Sequence, residues 1–268
     1  MHPMTNMALR AGRKAGQIIV RAMDRIEILT VEEKRKHDLV SEVDRSAEDA
    51  IIEVLHRAYP DHGIIGEESG VVFPEAEYTW IIDPLDGTTN FLQGIPHFAV
   101  SIALRHGNQI EQAVIIDPVR NEEFVASRGK GAQLNGKRIR VSARIRLEDA
   151  VLATGLTPDE AIRNLDIHTA ILADLTAASR ALRRQGAAAL DLAYVAAGRF
   201  EGFWELGLKP WDIAAGSLLV REAGGFVSDL IGGEKFLETG NVVAGNPKVF
   251  KALLQALRPH LNVAMRKG

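Results

Sequence analysis

The chain has 268 residues, with 32 Lys and Arg against 35 Asp and Glu, giving a formal charge of −3. At 46% hydrophobic and 25% charged residues it has the balance of a folded protein rather than a disordered one, and its slight acidity excludes the basic footprint of nonspecific nucleic-acid binding. Cysteine is absent, which removes disulfides, thiolate metal sites, iron–sulfur clusters and Cys nucleophiles. No leader-like n-region or h-region opens the chain, and no apolar run approaches the roughly 20 residues of a membrane span. A cytoplasmic protein without a membrane partner is expected. The length prior suits a single domain, 1–268, built as two intimately packed halves meeting near 145–155.

Met4, Met7, Ala8, Ala11, Ala15, Ile18, Ile19 and Ala22 share one face at helical spacing, so a first helix is expected over roughly 4–24. After a charged stretch, Ser41 is placed to cap a second helix, with Asp44 three residues on and Tyr59-Pro60 as its end. Ile64-Ile65 and Trp80-Ile81-Ile82 are short apolar runs ending in carboxylates, as buried strands with a site at their tips do. From Phe98 to Val141 the period becomes two. A hairpin flanks residues 105–109, Glu123–Ala126 and Ile139–Val141 extend the pattern, and Asn135-Gly136 marks a tight turn. Thr157-Pro158-Asp159-Glu160 reads as a helix start, Ala187–Ala197 as a helix closed by Gly198, and Trp211–Ala223 as a helix closed by Gly224-Gly225. Asn246-Pro247 caps a last helix. The alternation implies a layered α/β structure.

Three acidic segments stand out: Gly66-Glu67-Glu68-Ser69, Asp83-Pro84-Leu85-Asp86-Gly87-Thr88-Thr89-Asn90, and Trp211-Asp212. Pro84 biases Asp83 towards extended geometry and is expected to end the strand there. Gly87 lets the backbone approach a ligand closely. Thr88-Thr89 can begin a short helix whose free N–H groups face an anion. Taken singly, each segment has a plainer reading: a turn, a solvated loop, an ordinary helix start. Together, carboxylates and a helix N-terminus at a strand tip suit a divalent cation holding a phosphate, and oxygen ligands without Cys favour Mg²⁺ or Mn²⁺ over zinc.

These three segments, in this order, resemble the signatures of the inositol monophosphatase family. The likeness extends to Lys34, Asp44, Gly186-Ala187-Ala188, Glu205 and Glu222-Ala223-Gly224-Gly225, and so covers nearly the whole chain. Phe203–Trp211 is most similar to the bacterial SuhB-type members. The resemblance implies an αβαβα sandwich and Mg²⁺-dependent, Li⁺-sensitive hydrolysis of a phosphorylated polyol, with inositol 1-phosphate the reference substrate. It implies two or three Mg²⁺ per site, Mn²⁺ being an alternative. Glu67, Asp83 and the carbonyl of Leu85 would hold the first metal. Asp83, Asp86 and Asp212 would hold the second, with Glu67 near a weaker third. Thr88 with Glu67 would position the attacking water, and the N–H groups of Gly87 and Thr88 would cradle the phosphate. Asp86, Ala188, Glu205 and Asp212 would meet substrate hydroxyls. Lys34 matches a family lysine near the third metal, although a charge run is also a common solvated loop. Asp44 either supports Thr88 or serves a capping box.

Two other functions compete. A haloacid-dehalogenase-type phosphatase also uses Asp with Asp-Gly-Thr, but with one residue between its aspartates, where Pro84 and Leu85 both intervene here. SuhB-type relatives are associated with transcription antitermination complexes, which implies a protein or RNA partner; Arg180, Arg183 and Arg184 would serve it, or simply end a helix. A homodimer is expected. The eight histidines show no ligand spacing.

Overall fold

The computed structural model describes residues 2–26, 42–157, 160 and 163–261, and the backbone alone of 31–35 and 38–41. Helix α1 (Pro3–Met23) begins at His2, whose Nδ1 accepts from the Met4 N–H, with Pro3 at the first position where its missing donor costs nothing. A hairpin of β1 (Val31–Arg35) and β2 (Asp38–Ser41) leads into α2 (Glu42–Ala58). The expected Ser41 cap lies outside the described side chains, as does that of Lys34.

An eight-stranded sheet follows: β3 (Gly63–Gly66), β4 (Gly70–Val72), β5 (Tyr78–Asp86), then, after the short helix α3 (Thr88–Leu92), β6 (Ala99–His106), β7 (Gln109–Asp117), β8 (Glu122–Ser127), β9 (Gly131–Leu134) and β10 (Lys137–Arg138). Its order is β10-β9-β8-β7-β6-β5-β3-β4, and every neighbour pair is antiparallel except β3–β5. The one parallel pair places the C-terminal ends of β3 and β5 side by side, where α/β sheets present their ligand sites.

Pro84 does not end its strand. The register with β6 moves from Asp83↔Ser101 to Asp86↔Ala99, so Pro84 and Leu85 sit in a bulge where no ladder donor is required. Ile139–Val141 also depart from expectation. The Ile139 N–H still reaches the Ala132 carbonyl on β9 at 3.0 Å, but the chain then leaves the sheet, and the Val141 N–H donates to the Ala223 carbonyl instead. Asn135 and Gly136 both have positive φ (49° and 76°), as the tight β9–β10 turn requires.

The second sheet comprises β11 (Val151–Thr154), β12 (Ala181–Arg183), β13 (Gly202–Glu205), β14 (Phe226–Ser228) and β15 (Val242–Gly245), in the order β12-β11-β13-β15-β14. Between its strands lie α4 (Leu165–Ala178), α5 (Ala188–Ala196), α6 (Pro210–Glu222) and α7 (Phe236–Thr239), and α8 (Pro247–Leu257) follows. The expected helix start at Thr157-Pro158 falls largely outside the described residues.

Side-chain alternation along β5 and β6 builds the layers. Trp80, Ile82, Phe98, Val100, Ile102 and Leu104 pack against α1 and α2, while Ile81, Ala99 and Ala103 face α5 and α6. The small residues on that inner face let α6 lie close. At Gly216 a Cβ would come within 2.5 Å of Leu192, so α5 and α6 touch there backbone to side chain. The second sheet covers the other side of this helix pair, and its outer face is closed by α4 and α8. The result is an α/β/α/β/α sandwich with α5 and α6 as its central layer.

Candidate active site

Four chain segments converge where β3 and β5 end. The hairpin loop after β3 carries Glu67, whose N–H extends the ladder to the Ile82 carbonyl at 3.2 Å. The bulged end of β5 carries Asp83, Leu85 and Asp86. The first turn of α6 carries Asp212, whose Oδ2 accepts from the Lys209 N–H at 2.7 Å. Ser101, the cross-strand partner of Asp83, donates its hydroxyl to the Trp211 carbonyl at 3.1 Å, which fastens the start of α6 beside β5. The end of β13 brings Glu205. A cavity of about 420 Å³ opens among them, lined by Glu67, Asp86, Asp212 and Glu205, by Gly87–Asn90, and by residues 184–188 and Asp191.

Concentrated negative charge dominates the electrostatics. Burial and the charges of Glu67, Asp86 and Asp212 push the Asp83 carboxyl well above the ordinary range. Asp86 is pushed up to about 8 by burial and by Asp212, against the opposing pull of the Ala189, Ala188 and Leu190 N–H groups. Burial carries Asp212 to about 6. Asp83 stands within hydrogen-bonding reach of Glu67 on one side and Asp212 on the other, a closeness that carboxyls tolerate only with a proton or a cation between them. Among the described residues no three side chains stand in closed metal-ligand geometry. Glu205 and Asp191 are also raised, chiefly by burial, and the Asp191 Oδ1 has no hydrogen-bond partner.

Asp86 has a second task. Ala187 offers no side-chain cap to α5, and Asp86 Oδ2 accepts from the Ala189 N–H at 2.7 Å, so a carboxylate from the other sheet caps the central helix. Gly87 takes φ 98°, a conformation that favours glycine, and starts α3. Thr88 Oγ1 donates to Asp44 Oδ1 at 2.9 Å and lies 3.1 Å from the Leu85 carbonyl. Asp44 is buried on α2 and supports Thr88, while the capping box with Ser41 involves a side chain outside the described ones. Asn90 donates to the His97 and Gln185 carbonyls, at 2.7 and 2.8 Å, which locks α3 to the loop before α5. Ala188 lines the cavity at the head of α5. Gly155 faces Glu205 so closely that a Cβ would stand 2.1 Å from Oε1.

Every metal, phosphate, substrate or catalytic candidate with a described side chain therefore reaches the cavity or touches a residue that does. Of the basic trio, Arg184 lines the cavity, Arg183 ends the edge strand β12, and Arg180 pairs with Asp149 at 3.1 Å. Three buried acids or neighbours escaped the motifs: Glu48, Asp191 and Gly155. A signal existed for the two acids, since each interrupts an otherwise apolar helical face.

The profile of the Inositol monophosphatase family matches residues 1–262. The chain is 54% identical to the Nus factor SuhB of Pseudomonas aeruginosa over 271 residues and 50% identical to that of Escherichia coli over 268, in each case with all of both proteins covered. Among solved structures it is similar to the extragenic suppressor protein suhB of Bartonella henselae (TM-score 0.92, 46% identity, 96% of this chain and 98% of that one). The inositol monophosphatase of Anabaena is also similar (TM-score 0.87, 34% identity, 97% of each chain). Matched along its whole length in sequence and in fold, the chain belongs to the inositol monophosphatase family.

Proposed function

We propose that the protein hydrolyses phosphate monoesters with Mg²⁺ as its resident cation, and that its substrate is a phosphorylated polyol, inositol 1-phosphate foremost. The observation that carries this reading is the convergence of Glu67, Asp86 and Asp212 on one cavity, with the buried Asp83 set against all three. Among the described residues Arg184 is the one cationic side chain lining that cavity, against five acidic ones. Bare, the cluster would repel a phosphate.

The donor set fits hard divalent cations, because it is all oxygen and carries the charge they neutralise. Glu67, Asp83, the Leu85 carbonyl, Asp86 and Asp212 would hold two Mg²⁺ ions, with a third near Glu67 and Mn²⁺ as a substitute. When bound, the cations offset phosphate charge, acidify a water and stabilise the leaving oxygen. Thr88 spends its proton on Asp44, so its oxygen is left to accept from the attacking water together with Glu67. Water oxygen bonds to phosphorus, its proton passes to Glu67, and the ester oxygen departs with the bonding pair and is protonated from solvent. The Gly87 and Thr88 N–H groups cradle the phosphate. Asp86, Ala188, Glu205 and Asp212 contact the alcohol.

A single turnover in ¹⁸O-labelled water should label the released phosphate, with no acid-stable phosphoenzyme. Covalent phosphate on Asp83 would contradict direct attack and favour the dehalogenase-type route. The relatives named Nus factors support a second reading, association with a transcription complex, which a pull-down from cell extract would read independently of hydrolysis. A homodimer is proposed alongside, to be read by light scattering.

A further inference from the structure

The loop that carries Glu67 is a three-residue hairpin connection between β3 and β4, closed by Gly70 at φ 71°. Its backbone donors are fully accounted for. The Glu67 N–H goes to the Ile82 carbonyl, and the next two go to one side chain: Glu48 Oε1 lies 3.3 Å from the Glu68 nitrogen, and Oε2 lies 2.7 Å from that of Ser69. The Ser69 hydroxyl stands beside the same carboxylate and favours its charged form. Glu48 is 2% exposed and sits on α2, where a charged residue normally faces solvent. The approach is tight: a Cβ at Gly66 would come 2.0 Å from Oε1, so only glycine admits the carboxylate under the loop. One turn earlier on the same helix face stands Asp44, which holds Thr88.

We infer that Glu48 is the positioning residue for Glu67, and that α2 therefore fixes, through Asp44 and Glu48, the spacing between the two groups that orient the attacking water. This rests on the proposed hydrolase reading. Glu48 touches neither substrate nor cation; it acts by deciding where the Glu67 backbone, and hence its carboxylate, stands. A purely structural role would lower stability and leave cation affinity alone.

The test is direct Mg²⁺ titration by calorimetry, beside kcat and KM, on the wild type, Glu48→Gln, Glu48→Asp and Ser69→Ala. In Glu48→Gln the amide N–H₂ must face one of two loop donors, which displaces the loop at nearly constant volume. Its Mg²⁺ affinity should fall about tenfold to a hundredfold, as when groups that orient a ligand are lost. Its kcat should fall with little change in KM, and Glu48→Asp should recover part of both. Ser69→Ala should weaken Mg²⁺ a few-fold in the same direction. A folded Glu48→Gln with wild-type Mg²⁺ affinity overturns the inference. So does an unfolded Glu48→Gln accompanied by a Ser69→Ala of unchanged affinity; a weakened Ser69→Ala supports it even then. A wild type that binds no Mg²⁺ removes the metal reading and this inference together.

Discussion

Asp212 is tied to Asp86 only by the cavity, which makes it the most informative single residue. Its Oδ2 also serves the first turn of α6, and Asn serves a helix start about as well as Asp. If it were only part of that turn, Asp212→Asn would be nearly silent. As a cation ligand it should instead cost at least about a hundredfold in kcat. The Mg²⁺-induced rise in melting temperature should also shrink, although the cation-free variant is no less stable than the wild type, because one repelling charge is gone. Gly155 gives a matching test on the alcohol side. Gly155→Ala drives a methyl into Glu205 Oε1, so KM for a polyol phosphate should rise about tenfold or more, the worth of a hydrogen bond to a charged group. An aryl phosphate without hydroxyls should be hydrolysed as before. Glu67, Asp83, Asp86 and Asp212 were legible because each sits in a short motif at a strand or helix end. Glu48 and Asp191 carried only the weaker signal of an acid on an apolar helical face, since a lone acid on a helix normally points to water and only tertiary packing turns it inward.

Among elements, long periodic ones declared themselves: α1, α2, α6 and the β6–β7 hairpin match their expected spans within a few residues. The second sheet was hidden because its strands are three or four residues long, too short for alternation to show, and lie between helices of similar apolar content. The bulge in β5 was misread from the local rule for proline, which presumes a ladder bond at every residue. That bulge brings Asp83 and Asp86 into one acidic cluster although the pleat alone would give residues three apart opposite faces. The αL turn after it is equally specific. A Cβ on Gly87 would lie 3.1 Å from the His97 carbonyl and 3.2 Å from that of Gly186, and the residue would adopt φ 98°. Gly87→Ala should cost about 1–3 kcal/mol by chemical denaturation, with a larger relative loss of turnover than of stability.

For the molecule as a whole, the cavity stores charge repulsion that the rest of the fold must hold down. Asp86 titrates near 8 in the folded protein but in the ordinary carboxylate range when unfolded, so the folded state binds the extra proton. The stability this contributes is complete at low pH and is lost as pH rises through about 8. His62, His97 and His168, lowered by burial, act in the opposite sense and only below their unfolded range. Between pH 7 and 9 in EDTA the melting temperature should therefore fall, and Mg²⁺ should flatten the fall, since a cation at a hundred times its Kd adds about 2.7 kcal/mol. In the proposed reading this acidic cavity hydrolyses a phosphate monoester by way of bound Mg²⁺. Phosphate release from inositol 1-phosphate, followed for the wild type and Asp83→Asn in Mg²⁺, in excess EDTA and in Mg²⁺ with Li⁺, tests it most directly. The wild type should release phosphate in Mg²⁺, lose that release in EDTA and regain it on re-addition, and be inhibited by Li⁺ on the order of millimolar, while Asp83→Asn releases almost none. Release undiminished by EDTA, or an Asp83→Asn variant as active as the wild type, would contradict it.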